Sequence, residues 1–175
     1  MTALEAYELT TQGGATDFAR VIKVCESFGR YCLISGLAVN CYVEPVYTLD
    51  ADIVVIAANL RALTANLREE GFKTEEHLHS LNVLAPTSEL RIQFTTDDRY
   101  QAFLARSIEA EVLGLRVKVA SIEDVVRGKL WAYGDPQRRL SKRKKDELDL
   151  IRLAEKHPQL KSMYPSELVE QIERG

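Results

Sequence analysis

Residues 31–56 constrain the fold of this chain more than any other stretch. Tyr31-Cys-Leu-Ile34 is an apolar run ending at Ser35-Gly36, a short helical segment follows through Asn40, and Thr48-Leu-Asp50-Ala-Asp52-Ile-Val-Val-Ile56 reads as a second strand. Residues two apart in a strand share a face. Asp50 and Asp52 therefore converge, while Leu49, Ala51 and Ile53 face the other way. Two carboxylates this close repel unless a cation lies between them, and hard divalent cations such as Mg²⁺ take oxygen ligands. Gly36 lets the backbone come close to a phosphate, and the N-terminus of the next helix favours an anion. A metal site beside a phosphate site points to metal-assisted phosphoryl or nucleotidyl transfer.

Around this stretch the pattern alternates between helices and strands. Thr16-Asp17 caps a helix running to about Phe28, with Phe18, Val21, Ile22 and Cys25 on one face and Gly29 after its end. A helix over 37–43 is blocked by Pro45. Asn59 opens a helix with Leu60, Leu63 and Leu67 at helical spacing, which stops at Gly71. Strands are predicted over 81–84 and 90–95, a short helix over 100–106, and a hairpin over 111–119 turning at Gly114. Ser121 caps a helix with Glu123 and Asp124 in its first turn. The remainder is helical over 122–133, 139–156 and 166–173. The expected architecture is α+β: a small mixed sheet flanked by helices over 1–119, with a helical region over 120–175 packed on it.

Composition excludes several classes. Of the 175 residues, 46% are hydrophobic and 28% charged, which is ordinary for a water-soluble domain. The apolar runs are too short to cross a bilayer, and no basic-then-apolar leader opens the chain. Cys25, Cys32 and Cys41 lie in apolar settings and are expected as reduced thiols, so a cytoplasmic location is expected. A net charge of −3 argues against a protein that coats nucleic acid with its whole surface. The dense basic run Arg138-Arg-Leu-Ser-Lys142-Arg-Lys-Lys145 is a local exception, either a solvated helix start or a holder of triphosphate or RNA.

The order apolar strand, Ser35-Gly36, helix, Asp50-x-Asp52 resembles the nucleotidyltransferase fold of the DNA polymerase β superfamily, with Ser and Gly reversed. Lys129-Leu-Trp-Ala132 and Lys145-Asp146-Glu-Leu-Asp149 are similar to the Lys-x-x-Ala and Lys-Asp-x-x-Asp pattern of AbiEii-type toxins and minimal nucleotidyltransferases. The resemblance spans about Phe18 to Leu153. It implies that Asp50 and Asp52 hold one or two Mg²⁺ ions, and that Ser35, Gly36, Asn40, Lys129, Lys145, Asp146 and Asp149 serve nucleotide binding. It also implies a nucleoside triphosphate substrate, an acceptor hydroxyl on RNA (such as tRNA), protein or a small molecule, and a toxin–antitoxin or phage-defence setting with a cognate antitoxin.

Each candidate also has a plainer reading. Asp50 and Asp52 would be acidic by chance on a solvated edge strand. Ser35-Gly36 would be only a tight turn, and Asn40 would only bond a neighbouring strand. Lys129 would be a surface lysine, and Asp146 with Asp149, three apart on one helical face, would be structural ion-pair partners. His77 and His79 alternate in an acidic stretch without a third ligand at zinc spacing.

The sequence departs from the resemblance at the third carboxylate. Along Glu89-Leu-Arg-Ile-Gln-Phe-Thr95, Leu90, Ile92 and Phe94 form the core face, and Gln93 sits where an Asp is expected. Gln offers a carbonyl ligand but no charge and no base. Glu89 and Asp97 lie four residues away, about 13 Å at roughly 3.3 Å per residue. Three readings follow: an active nucleotidyltransferase, a non-catalytic binding module of the same fold, and an antibiotic-modifying transferase, which shares the fold and the Asp-x-Asp.

Overall fold

The computed structural model describes residues 1–175, the side chain of Ala3 excepted. Its centre is a seven-stranded mixed sheet in the order β3-β4-β5-β2-β1-β7-β6. The strands are β1 (Tyr31–Ile34), β2 (Asp50–Val55), β3 (Lys73–Glu76), β4 (Ser80–Leu84), β5 (Arg91–Thr95), β6 (Ile108–Val112) and β7 (Leu115–Val119). Strand β2 runs antiparallel to β1 and parallel to β5, and β1 runs parallel to β7. The middle strands read as near-continuous apolar runs because both faces are covered: all four residues of β1 are buried. Strand β5 alternates, with Ile92 and Phe94 in the core and Arg91 and Gln93 exposed.

The helices are α1 (Ala3–Thr10), α2 (Gly14–Ser27), α3 (Ser35–Val39), α4 (Leu60–Glu69), α5 (Asp98–Gln101), α6 (Ile122–Gly134), α7 (Leu140–Lys156) and α8 (Ser166–Arg174). Helix α6 packs against α3 and α7. The Tyr42 hydroxyl donates to the Ala120 carbonyl over 2.6 Å, tying the α3 turn to the start of the helical region. Phe18, Phe94, Phe103, Leu33, Ile53 and Leu150 are among the largest fully buried side chains.

Helix α1 and strand β3 were not expected. Helix α1 is opened by a capping box in which Thr2 and Glu5 satisfy each other's backbone N–H. Strand β3 reads Lys-Thr-Glu-Glu, with no apolar alternation of its own. It forms because β4 offers it a full ladder from Lys73↔Leu84 to Glu76↔Leu81. The start of α2 also differs. It begins at Gly14, where the Thr11 hydroxyl accepts from the Gly14 N–H and the Glu8 carboxylate accepts from the Ala15 N–H. The preceding helix thus supplies the cap expected from Thr16-Asp17.

Helix α3 spans five residues rather than the expected 37–43. The Asn40 side-chain amide binds the Val46 backbone twice: Nδ2 donates to the carbonyl over 2.8 Å, and Oδ1 accepts from the N–H over 3.0 Å. That clamp closes the loop containing Pro45, and the helix ends at Val39, well short of the proline. So short a helix has little macrodipole, and the anion preference expected at its N-terminus is correspondingly small.

Candidate active site

Where β1 ends and β2 begins, a cavity of about 550 Å³ opens on one face of the sheet. Its floor carries Asp50 and Asp52, whose shared face follows from strand alternation. The parallel register sets Arg91 opposite Asp50 and Gln93 opposite Asp52. On the other side β1 pairs Ile34 with Asp52, so the Ser35-Gly36 turn lies at the same edge of the cavity. Glu89 and Asp97 do not line it, and Asp97 instead caps α5 and pairs with Arg99.

Asp52 is half-buried in the floor. Burial pushes its carboxyl above the usual carboxylate range. A hydrogen bond with Ser35 opposes this, Asp50 adds to it, and the Lys129 and Arg138 cations draw it back. Asp50 is met by two cations: Arg91 Nε at 2.9 Å from Oδ1 and Lys142 Nζ at 3.4 Å from Oδ2. The Gln93 Nε2 donates to Asn82 Oδ1 over 3.2 Å, and Asn82 in turn meets His77. Asp52, Gln93, Asn82 and Glu75 therefore form one polar row across four strands.

At the 35–36 turn the conformational burden falls on serine. Ser35 has φ of 62°, the left-handed region that disfavours residues with a Cβ, whereas Gly36 does not. A Cβ on Gly36 would meet Thr48 no closer than 3.5 Å, an ordinary contact. The backbone conformation of the turn thus does not itself require glycine at position 36. Strained non-glycine residues of this kind persist where the surroundings fix them, often at functional sites.

The wall opposite the sheet comes from α6 and α7. Lys129 is nearly inaccessible, with Nζ 2.9 Å from Asp146 and 2.7 Å from Asp149. Burial pulls its ammonium down, but the two carboxylates outweigh this and hold it above the usual lysine value. Asp146 also holds Arg138 at 2.7 Å, and Asp149 holds Arg152 at 3.0 Å. Lys129, Arg138 and Arg152 thus together offset the two carboxylates. Lys129 and Asp146 border the cavity and Asp149 does not. Arg138, Lys142 and Lys145 bring positive charge to the rim, and Lys145 is exposed there. Asn40 is outside the cavity and holds the loop leading to Thr48.

Sequence reasoning missed the aromatic end of the cavity. Tyr100 and Phe103 line it, with ring centroids 5.2 Å apart, and both lie against Gly128 of α6. The missing side chain at Gly128 makes room for them, and the isolated glycine inside a helical pattern was the available signal. Arg91 was equally readable as a neighbour of Gln93 on one strand face, but not as a partner of Asp50. Among the described residues, no three or more His, Cys, Asp or Glu side chains gather as a metal-binding group. Next to one another on the cavity floor, the oxygen donors set by the register are the Asp50 and Asp52 carboxylates and the Gln93 carbonyl.

By sequence, no family model and no curated protein matches this chain. Solved structures do. The antibiotic-resistance factor ANT(2'')-Ia superposes with a TM-score of 0.58 at 14% identity, over 90% of this chain and 88% of its own. The lincosamide antibiotic adenylyltransferase LnuA, in its lincomycin-bound form, gives 0.56 at 13% identity, over 79% and 96%. An antigenic nucleotidyltransferase-like protein from Paracoccidioides brasiliensis gives 0.56 at 19% identity, over 91% and 92%. The chain therefore has a mixed α/β fold of the kind seen in nucleotidyltransferases.

Proposed function

We propose that this protein transfers a nucleoside monophosphate from a nucleoside triphosphate to a hydroxyl group, with Mg²⁺ bound at Asp50 and Asp52. The observation that carries the proposal is the pair of carboxylates on one strand face, flooring a cavity beside the Ser35-Gly36 turn. The donor set suits the ion: Mg²⁺ takes one or two carboxylates and completes its shell with water and phosphate oxygens. Bound there, it would offset charge on the triphosphate and activate the acceptor hydroxyl.

The chain's own groups divide the remaining work. Lys145 and Arg138 hold the phosphates from the helical wall, and Gly36 lets the backbone approach them from the turn. Ser35 steadies Asp52. Lys129, Asp146 and Asp149 serve at one remove by fixing Arg138, and Asn40 by fixing the loop that carries Thr48. The half-buried Tyr100 ring, backed by the buried Phe103, offers a surface against which a planar ring packs. In the transfer the acceptor hydroxyl gives its proton to water, a bond forms between its oxygen and the α-phosphorus, the α–β phosphoanhydride breaks, and pyrophosphate leaves.

The acceptor is a hydroxyl on a small molecule, RNA or protein. ANT(2'')-Ia, which has been solved with adenylyl-2''-tobramycin, and LnuA support a small-molecule acceptor. The basic rim of α7 supports RNA such as tRNA. A toxin–antitoxin or phage-defence setting in the cytoplasm, with an antitoxin partner, fits the AbiEii-type motifs at Lys129 and Lys145–Asp149. No helix is long and apolar enough to cross a membrane.

Gln93 favours a second reading. It occupies the register position facing Asp52, so the acceptor's proton meets no third carboxylate there. A protein of this fold that binds nucleotide without turning it over accounts for that substitution. Calorimetric titration with each of the four triphosphates, with and without Mg²⁺, tests the site: metal-dependent binding lost in Asp50→Asn/Asp52→Asn is expected, and metal-indifferent binding overturns it. Transfer of labelled α-phosphate to an acceptor in lysate separates the enzyme from the silent module.

A further inference from the structure

We propose that Arg91 and Lys142 are built-in counter-cations of Asp50, and that the site consequently takes one divalent ion per bound nucleotide rather than two. The inference rests on the reading of the cavity as a nucleotide site and specifies its ion requirement. Both Asp50 oxygens already face a cation, Oδ1 the Arg91 guanidinium and Oδ2 the Lys142 ammonium. The two cations come from independent elements. Arg91 is fixed by the β2–β5 register directly across from Asp50, and Lys142 by the first turn of α7.

The charge balance follows. Asp50 and Asp52 carry two negative charges, and Arg91 and Lys142 match them without any metal. One divalent ion is admitted when a triphosphate brings further negative charge. A second would have to displace Arg91 or Lys142 from an Asp50 oxygen, since both oxygens are already met by a cation. It would also need another anionic ligand, and the position facing Asp52 holds the neutral Gln93, whose amide nitrogen is engaged by Asn82.

The ion therefore enters with the nucleotide. Equilibrium dialysis against Mn²⁺, with a saturating non-hydrolysable α,β-methylene triphosphate, should give one ion per chain. Two ions in the native protein overturn the inference. Nucleotide bound with no ion overturns the metal-dependent site and this inference with it. Without nucleotide, Arg91→Gln/Lys142→Gln should bind Mn²⁺ at least tenfold more tightly than the native protein, and an unchanged affinity means that the two cations do not guard Asp50. Adding Gln93→Asp to that pair should raise the count with nucleotide to two. A count that stays at one overturns the charge argument. Circular dichroism of each variant reports its fold, and the altered side chains are exposed.

Discussion

Lys129 and Asp149 stand 2.7 Å apart with side chains only 4% and 7% exposed, locking α6 to α7 through a charge pair withdrawn from water. Asp146 completes the lock and holds Arg138 toward the cavity. The network thus connects the packing of the helical wall to the placement of a cation above Asp52.

Lys129→Met should be strongly destabilising, because it leaves two buried carboxylates without their shared partner. Breaking a buried pair from one side typically costs about 3–5 kcal/mol. Urea unfolding monitored by circular dichroism measures the loss. A loss below about 1 kcal/mol would show that solvent reaches the pair.

Gly36→Ala should fold like the native protein. The residue is not in the left-handed region, and the added Cβ meets Thr48 at 3.5 Å. Stability should change by less than about 1 kcal/mol. A fall in triphosphate affinity in this folded variant, read by calorimetry, then reports phosphate contact at Gly36. Ser35→Gly is the complementary test: it relieves the strain at φ 62° and should stabilise the fold by about 1 kcal/mol. It also removes the hydroxyl beside Asp52.

Asp52→Asn should raise the thermal midpoint of the metal-free protein while abolishing Mg²⁺-dependent nucleotide binding. Burial holds the Asp52 carboxyl above its usual range, so its ionised form opposes folding at neutral pH. Differential scanning calorimetry in EDTA checks the direction, and a lower midpoint would mean that the charge is favourably paired.

Stability should fall in alkali. Burial pushes the Cys41 thiol from 9.0 up to about 11 and the Cys32 thiol up to about 12. The Tyr7 and Tyr31 hydroxyls rise from 10.0 to about 12, again chiefly through burial. The folded state keeps protons that the unfolded state releases. The stability these groups contribute is complete below the unfolded values and is lost as pH rises through the folded ones. A tenfold difference in proton affinity between the two states is worth about 1.4 kcal/mol per group. Urea midpoints should therefore drop steadily between pH 9.0 and about 12, and a flat profile would contradict this burial.

The local patterns in the sequence suffice for much of the fold. Apolar runs define β1 and β2, alternation puts Ile92 and Phe94 inside and Gln93 outside, and Ser121 marks the start of α6. They also put Asp50 and Asp52 on one face, since strand alternation depends only on residues two apart. Strand β3, polar throughout, was unreadable because its stability lies in the partner strand. Tertiary structure alone decided which groups meet these carboxylates. Pairing β2 with β5 requires two buried faces to match across an intervening helix and hairpin, and that register set Arg91 opposite Asp50 and Gln93 opposite Asp52. The approach of Lys142 depends on how α7 docks. Such contacts join residues far apart in the chain. Their energies are those of packing and charge between whole elements, which no short window of sequence contains.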